Sequence, residues 1–279
     1  MSTPPSSSPP PLRSSGEQLV GDPAPSGDRL LSAHVTYVLA LADDALVSAQ
    51  RMGWWISRAP QLEEDVALAN IGLDQLGQAR ALLAHAGALE GKGRSEDDLA
   101  YLRDERDFRN VHLVERYQSD FGVAMVRLLL VAAWQSELYA ALRASTDATL
   151  AGVAGKAVKE VAYHLDHAAR WVVRLGDGTP ESHDRVQAAL DAEWPHLAEL
   201  FVSDWLDPTL VESGVAVDPV ALRESVLARI EPVLAEATLV VPEVAPARGG
   251  GRHGLHSEQM GYLLAEMQHL ARSHPGATW

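Results

Sequence analysis

The side chains best suited to chemistry in this sequence are carboxylates and histidines in stretches with helical periodicity. Asp44, Asp74, Glu137 and His164 fall in four separate stretches of this kind. A four-helix bundle holds two irons when two helices each supply one carboxylate and the other two each supply a Glu-x-x-His pair. Spacing i, i+3 places the members of such a pair side by side on one helix face. The sequence can therefore be tested for two of these pairs.

The pair is missing from the second helical stretch. Asp74 is followed at i+3 by Gly77, and Gln75 is followed by Gln78. The next histidine, His85, lies about three turns further along the helix. This stretch therefore contains no imidazole next to a carboxylate on its inner face.

The fourth stretch contains only half of the pair. Val161 stands three residues before His164, and Glu160 stands four residues before it, which is off the required spacing. The third stretch contributes the single carboxylate Glu137, and the first contributes Asp43 and Asp44. We therefore predict no metal ligands, no cofactor-binding residues and no catalytic residues in this chain.

Two interpretations of the remaining polar groups are open. In the favoured one, Glu137 and His164 are buried polar groups that pair with each other or with neighbouring helices, as buried polar groups must. In the other, the chain is itself a di-iron or manganese enzyme with an unusual ligand set of Asp44, Asp74, Glu137 and His164.

Two intact Glu-x-x-His strings lie outside the four long helical stretches. They run from Glu193 to His196, with Pro195 inside the string, and from Glu266 to His269. Such short strings arise easily by chance in a chain with 38 acidic residues and 11 histidines. We expect these side chains to be exposed or to lie at an interface.

The glycine-rich segment 249–254 resembles a phosphate cradle in composition, but no strand precedes it. It is expected to be a flexible or interface-ordered loop. The alternative is a contact with phosphate or coenzyme A through Arg252 and His253, in a free-standing helical protein that binds CoA esters. No cysteine nucleophile, P-loop or serine nucleophile elbow is present.

Composition excludes several classes of protein. The 279 residues include no cysteine, which rules out disulfide frameworks, thiolate metal sites and iron–sulfur clusters. The formal net charge of −15 opposes binding to nucleic acid or to anionic membranes. The most apolar internal stretch, 123–134, is interrupted by Arg127 and is too short to span a bilayer. No signal peptide is visible, so a cytoplasmic location is expected.

Apolar periodicity and helix-boundary signals predict an all-α protein. Residues 1–28 are rich in Ser and Pro and are predicted to be a disordered tail, followed by a ferritin-like helical domain over 29–279. Four long helices, with a long connection at 91–118 between the second and the third, match the ferritin-like plan. Additional C-terminal helices follow. The helices are predicted at about 30–57, 61–87, 120–142, 149–175, 179–205, 218–237 and 257–272.

In the second of these helices, the inward stripe is predicted from apolar spacing. It comprises Leu62, Val66, Ala69, Leu73, Leu76 and Leu83.

Four segments resemble a known family. The most distinctive is APQLEEDVALANIGLDQLGQAR at 59–80, and the others are YLRDER at 101–106, KAVKEVAYH at 156–164 and GRHGLH at 251–256. Together they are similar to the PaaC family, the structural subunits of bacterial phenylacetyl-CoA epoxidases. The resemblance covers about residues 30–279.

The resemblance implies a ferritin-like fold and a place in a multicomponent oxygenase of aerobic phenylacetate breakdown. In that system the related subunit PaaA holds the di-iron centre and epoxidises the ring of phenylacetyl-CoA. PaaB is a small further component, and PaaE is a flavin and iron–sulfur reductase that interacts transiently. The implied role is a partner of PaaA without a metal set of its own, which agrees with the missing ligand pairs.

A docking surface is hypothesised on the first three helices. It includes Trp54, Trp55 and the second helix, which is rich in Ala and Gly. Bulky substitutions at Gly72 or Gly77 are expected to break co-purification with the catalytic subunit.

Overall fold

The computed structural model describes residues 27–277, which form helices and loops with no β-strand within that range. The all-α prediction is confirmed. The described residues contain ten α-helices: α1 Gly27–Gly53, α2 Leu62–Glu90, α3 Glu96–Tyr101, α4 His112–Glu115, α5 Phe121–Leu142, α6 Ala148–Gly176, α7 Pro180–Leu197, α8 Pro208–Glu212, α9 Arg223–Glu236 and α10 Glu258–Ser273.

Four long helices build the central bundle. The most extensive contacts join α1 to α2 and α5 to α6, and α2 also packs against α6. The short helices α3 and α4 lie in the connection between α2 and α5, while α7 and α9 pack against α5 and α6. This arrangement is consistent with a ferritin-like bundle followed by C-terminal helices.

The helix boundaries follow from local hydrogen-bonding chemistry. The Asp120 side chain accepts from the Val123 backbone N–H and begins α5. Thr179 and Ser182 form a capping box at the start of α7, as a Thr-Pro start predicts. Gly91 ends α2 in the left-handed conformation, with φ 65°. The starts of α5 and α7 agree with the predicted starts, whereas α2 ends at Glu90, three residues later than predicted.

Some predicted boundaries were wrong. Helix α1 ends at Gly53, not at residue 57, and α7 ends at Leu197 before a 3₁₀ turn at Ala198–Phe201. The connection contains two short α-helices and a 3₁₀ turn at Glu105–Asp107. The predicted tail 1–28 lies outside the described residues, apart from residues 27 and 28 in α1.

Helix α5 is the central core element, and most of its circumference is buried. By length and composition alone, two helices among the described residues could cross a membrane, one over Arg29–Gly53 and one over Phe121–Leu142. The apolar window of the second is 78% buried inside the bundle, as expected for a core helix. Arg127 within it is buried and pairs with Glu193.

The predicted inward stripe of α2 was largely wrong. Leu62, Val66 and Leu73 are 74%, 55% and 64% exposed. The buried face lies elsewhere on the helix and comprises Leu68, Ile71, Gln75, Gln78, Ala79, Leu82, Leu83, Ala86 and Gly87. Helix α2 is therefore apolar on two faces, and only one of them packs inside this chain.

Candidate functional site in the helical core

The centre of the bundle contains a chain of neutral polar side chains, here called the amide ladder: Gln75, Gln78, Gln135 and Tyr139. Gln75 and Gln135 exchange two hydrogen bonds between their amides, at 2.7 and 3.0 Å. The Tyr139 hydroxyl donates to Gln78 Oε1 at 3.0 Å. All four side chains are buried. Each of the four side chains therefore has a hydrogen-bond partner, as buried polar groups must.

One end of the ladder meets a carboxylate. Gln78 Nε2 donates to Glu160 Oε2 at 3.1 Å, and Glu160 also pairs with Lys156 at 3.1 Å. Burial raises the pKa of the Tyr139 phenol strongly, as do the charges of Asp44 and Glu160, so the hydroxyl stays a donor. Neutral amides therefore occupy the positions at which helix spacing would place an iron-binding pair.

The four members of the alternative ligand set each have another partner. Asp44 Oδ2 lies 2.6 Å from Arg252 Nη2, and Glu137 pairs with Arg229. Asp74 Oδ2 lies 3.0 Å from His164 Nε2. Burial lowers the pKa of His164, although the Asp74 hydrogen bond and charge oppose that change. Glu137 and His164 therefore pair with neighbouring helices as predicted, but only His164 is buried, because the Glu137 side chain is 17% exposed.

These residues do not fit a di-iron centre. Of the four, only Asp74 and His164 contact each other, and arginines neutralise both remaining carboxylates. Within residues 27–277, the only group of three or more ligand atoms within 4.8 Å of one another lies elsewhere and includes none of the four. The amide ladder supplies no charged ligand to the centre of the bundle.

A second buried region joins α1 and α4 to later parts of the chain. We call it the ionic junction, and it consists of three buried ion pairs: Asp43–Arg103, Asp44–Arg252 and Glu115–His256. Burial raises the pKa of Asp44 to about 6, while the charge and hydrogen bond of Arg252 act in the opposite direction. The Asp44 carboxylate is therefore mostly ionised at neutral pH.

The aspartates of the ionic junction also bind the backbone of the α2–α5 connection. Arg109 N–H donates to Asp43 Oδ2 at 2.8 Å, and Val111 N–H donates to Asp44 Oδ1 at 2.9 Å. The guanidinium of Arg252 donates further to the carbonyl of Ala40 at 2.9 Å. Asp43 and Asp44 therefore position loops and are not free to bind metal.

The glycine-rich loop already contains an anion from this chain. Gly250 and Gly251 N–H both donate to Glu199 Oε1 at 2.9 Å, and His112 N–H donates to Glu199 Oε2 at 2.7 Å. A cavity of about 290 Å³ beside the loop is also lined by Asp204. Arg252 also lines this cavity, but its buried guanidinium is bonded to Asp44 and to the Ala40 carbonyl, so it is not free to bind a phosphate.

The first Glu-x-x-His string has a structural role that sequence spacing missed. Glu193 was expected to be exposed or at an interface, but it is buried. It accepts hydrogen bonds from Arg127 at 2.9 and 3.0 Å and from Arg116 at 3.1 Å. Arg127, a basic residue inside the apolar α5 stretch, was the sequence feature that could have predicted a buried acidic partner. Glu266 and His269 are exposed, as expected.

The outer side of α2 forms an apolar groove with α1. A cavity of about 300 Å³ there is lined by residues that include Ile56, Ala69, Leu73, Leu76 and Met267. Leu62 and Val66 continue the same apolar stripe towards the start of α2. We call the stripe and the groove together the α2 face. Its large apolar side chains are unusual for a surface that stays in water.

The relationship of this chain to known proteins agrees with the fold and with the four recognised segments. The model of the phenylacetic acid catabolic protein family matches residues 19–279. The chain belongs to this family. It is also 46% identical over 243 residues to the C component of the 1,2-phenylacetyl-CoA epoxidase of Escherichia coli K12. That match covers 87% of this chain and 98% of the relative. Family membership and the resemblance found in the sequence are therefore confirmed.

Proposed function

We propose that this chain is a structural, non-catalytic subunit of a multicomponent phenylacetyl-CoA 1,2-epoxidase in aerobic phenylacetate catabolism. It would pair with a di-iron catalytic subunit of the PaaA type and stabilise it. The observation that supports this role most strongly is the amide ladder, because it fills the centre of the bundle with paired neutral groups. The name of the Escherichia coli relative supports membership of an epoxidase complex.

The α2 face is the docking surface in this proposal, and its occupant is the helical catalytic subunit. Leu62, Val66 and Leu73 recur at spacings of four and seven along one helix, which suits packing against another helix. Subunits that depend on each other bury large apolar interfaces. A rigid partner surface can hold the helices that carry iron ligands in the partner subunit.

The remaining partners follow from the family resemblance. The complex would include the small component PaaB and would receive electrons through a transient contact with the reductase PaaE. The net charge of −15 favours basic protein surfaces over nucleic acid or anionic membranes. We place the complex in the cytoplasm.

The structure changes the best choice of test residue. A Cβ added at Gly72 would lie 3.3 Å from Met52 Cβ within this chain, so a bulky residue there would disturb α1–α2 packing. Val66→Asp and Leu73→Asp are better probes because both side chains are exposed. Val240→Asp is the matched control, since Val240 is 72% exposed and lies outside the α2 face.

The experiment co-expresses each variant with the catalytic subunit and measures co-purification, iron content and epoxidation with and without this chain. We expect Val66→Asp and Leu73→Asp to abolish co-purification, while Val240→Asp retains it and all three keep the wild-type melting temperature. An unchanged complex would show that another face docks.

Two irons per chain in the protein produced alone would support the di-iron alternative. Tight binding of phenylacetyl-CoA by the isolated chain, measured by calorimetry, would support the CoA-ester alternative.

A further inference from the structure

Two histidines and one aspartate converge where α1, α2 and the start of α6 meet. His85 Nε2 lies 2.6 Å from Asp147 Oδ2, and His34 Nε2 lies 2.9 Å from the same oxygen. The three ligand atoms all lie within 4.8 Å of one another, and the side chains are partly buried. This cluster is the group of three ligand atoms mentioned above, which includes none of the four di-iron candidates.

One nitrogen of the cluster lacks a hydrogen bond. His34 Nε2 is buried, and its contact with Asp147 does not have hydrogen-bond geometry. The His34 side chain as a whole is 17% exposed. A buried polar atom without a partner is costly in a native protein, and a bound ion is one of its recognised explanations.

The carboxylate is held in place by the helix that it caps. Asp147 Oδ1 accepts from the backbone N–H groups of Thr149 at 2.8 Å and Leu150 at 3.0 Å. This arrangement leaves Oδ2 to face the two imidazoles. Hydrogen bonds that orient a ligand in this way are typical of metal sites.

The protonation states suit a cation. Burial lowers the pKa of His34, and the nearby His85 lowers it further against the opposing charge of Asp147. Burial alone would raise the pKa of Asp147, but the Leu150 backbone and His85 hydrogen bonds outweigh it and lower that pKa. At neutral pH the cluster therefore contains a neutral imidazole at His34 and an ionised carboxylate.

We propose that His34, His85 and Asp147 bind one divalent first-row transition-metal ion, with zinc as the reference ion. Two imidazole nitrogens and one carboxylate oxygen are a common set for such ions, with water in the fourth position of a tetrahedron. Ligand atoms in such a tetrahedron are roughly 3.3 Å apart, so the present contacts need to open by less than about 1 Å. The ion fastens α1, α2 and α6 at one end of the bundle.

The test uses the full-length protein without a histidine tag, freed of metal by a chelator and then titrated with Zn²⁺. Calorimetry and elemental analysis are expected to give one zinc per chain, and saturation should raise the melting temperature. His34→Ala, His85→Ala and Asp147→Asn should each weaken binding at least tenfold. Asp147→Asn keeps a good N-cap residue and so preserves the start of α6.

His269→Ala is the matched control because His269 is exposed and belongs to a Glu-x-x-His string that we do not assign to metal. It should bind zinc as the wild type does. If His85→Ala fails to fold, as judged by circular dichroism, the other two cluster variants decide the matter. Absence of zinc binding by the wild type, or wild-type affinity in His34→Ala and Asp147→Asn, would overturn the proposal. Two irons per chain that persist in those variants would belong to another site.

Discussion

The amide ladder and the ionic junction are both buried, yet they contain polar groups of opposite character. The ladder pairs neutral side chains of α2 and α5 across the centre of the bundle, so it needs no counter-charge. The junction pairs full charges, and its arginines lie outside the long helices: Arg103 follows α3 in the α2–α5 connection, and Arg252 lies in the glycine-rich loop, 208 residues from Asp44. In these two regions, charge attaches loops to α1 and α4, whereas α2 and α5 meet through neutral groups.

Breaking one pair of the junction should have the largest effect. Asp44→Ala leaves the buried guanidinium of Arg252 without its carboxylate, and removal of one partner of a buried ion pair costs about 3–5 kcal/mol. Urea denaturation measures the free energy of unfolding. Asp166→Ala, in the exposed pair with Arg170, is the control and should change that free energy little. Equal losses in the two variants would remove the distinction between buried and exposed charge pairs.

The ladder should respond differently, because its two amides satisfy each other. Gln75→Leu leaves the amide of Gln135 unpaired and should cost about 1–3 kcal/mol. Gln75→Leu combined with Gln135→Leu removes both partners and should be close to neutral. A double-mutant cycle on the free energy of unfolding measures the coupling between the two positions. If the double variant loses the sum of the two single losses, the amides are not a self-contained pair.

The smallest effect expected is a change of stability with pH at the third junction pair. His256 Nδ1 lies 2.7 Å from Glu115 Oε2, and Nε2 lies 3.1 Å from the Phe108 carbonyl. Both partners are acceptors, so the ring donates from both nitrogens as an imidazolium. Burial alone would lower the pKa of His256, but the hydrogen bond and charge of Glu115 outweigh it and raise that pKa above 6.5.

This raised pKa fixes the sign of the pH dependence. The stabilising contribution of His256 is fully present below pH 6.5 and is lost as pH rises through the folded-state value. The difference in unfolding free energy between wild type and His256→Gln should therefore shrink as pH rises above 6.5. His164 has a lowered pKa, so its contribution should instead be lost as pH falls below 6.5. A difference for His256→Gln that grows with pH would contradict the assigned charge.

Much of the fold could be predicted from the sequence because helix starts are local. Asp120 and Thr179 each cap a helix at the predicted start, since capping depends on a few neighbouring residues. The inward face of α2 could not be predicted in the same way. Its leucines and valine form an apolar stripe with correct helical spacing, but periodicity does not distinguish a face that packs within this chain from one that stays exposed on it.

The sequence shows that the Glu-x-x-His ligand pairs are absent, but it does not show that paired amides take their place. Gln75 and Gln78 have the i, i+3 spacing of a ligand pair, and only the structure pairs them with Gln135 and Tyr139 on α5. The pairing of Arg252 with Asp44 could not be predicted from the sequence either. A glycine-rich composition suggests an anion, but it does not show that Glu199 of the same chain is that anion.

The span between Asp44 and Arg252 has a consequence for synthesis. A ribosome completes α1 long before Arg252 is translated, so the Asp44 carboxylate must stay hydrated in the nascent chain until the C-terminal loop emerges. Contacts that close such long loops form late and slow the final folding step. Newly made chains cut short before the glycine-rich loop would leave Asp44 in an apolar setting without the guanidinium of Arg252, although Asp43 would keep Arg103, and such chains are natural targets for chaperones and proteases.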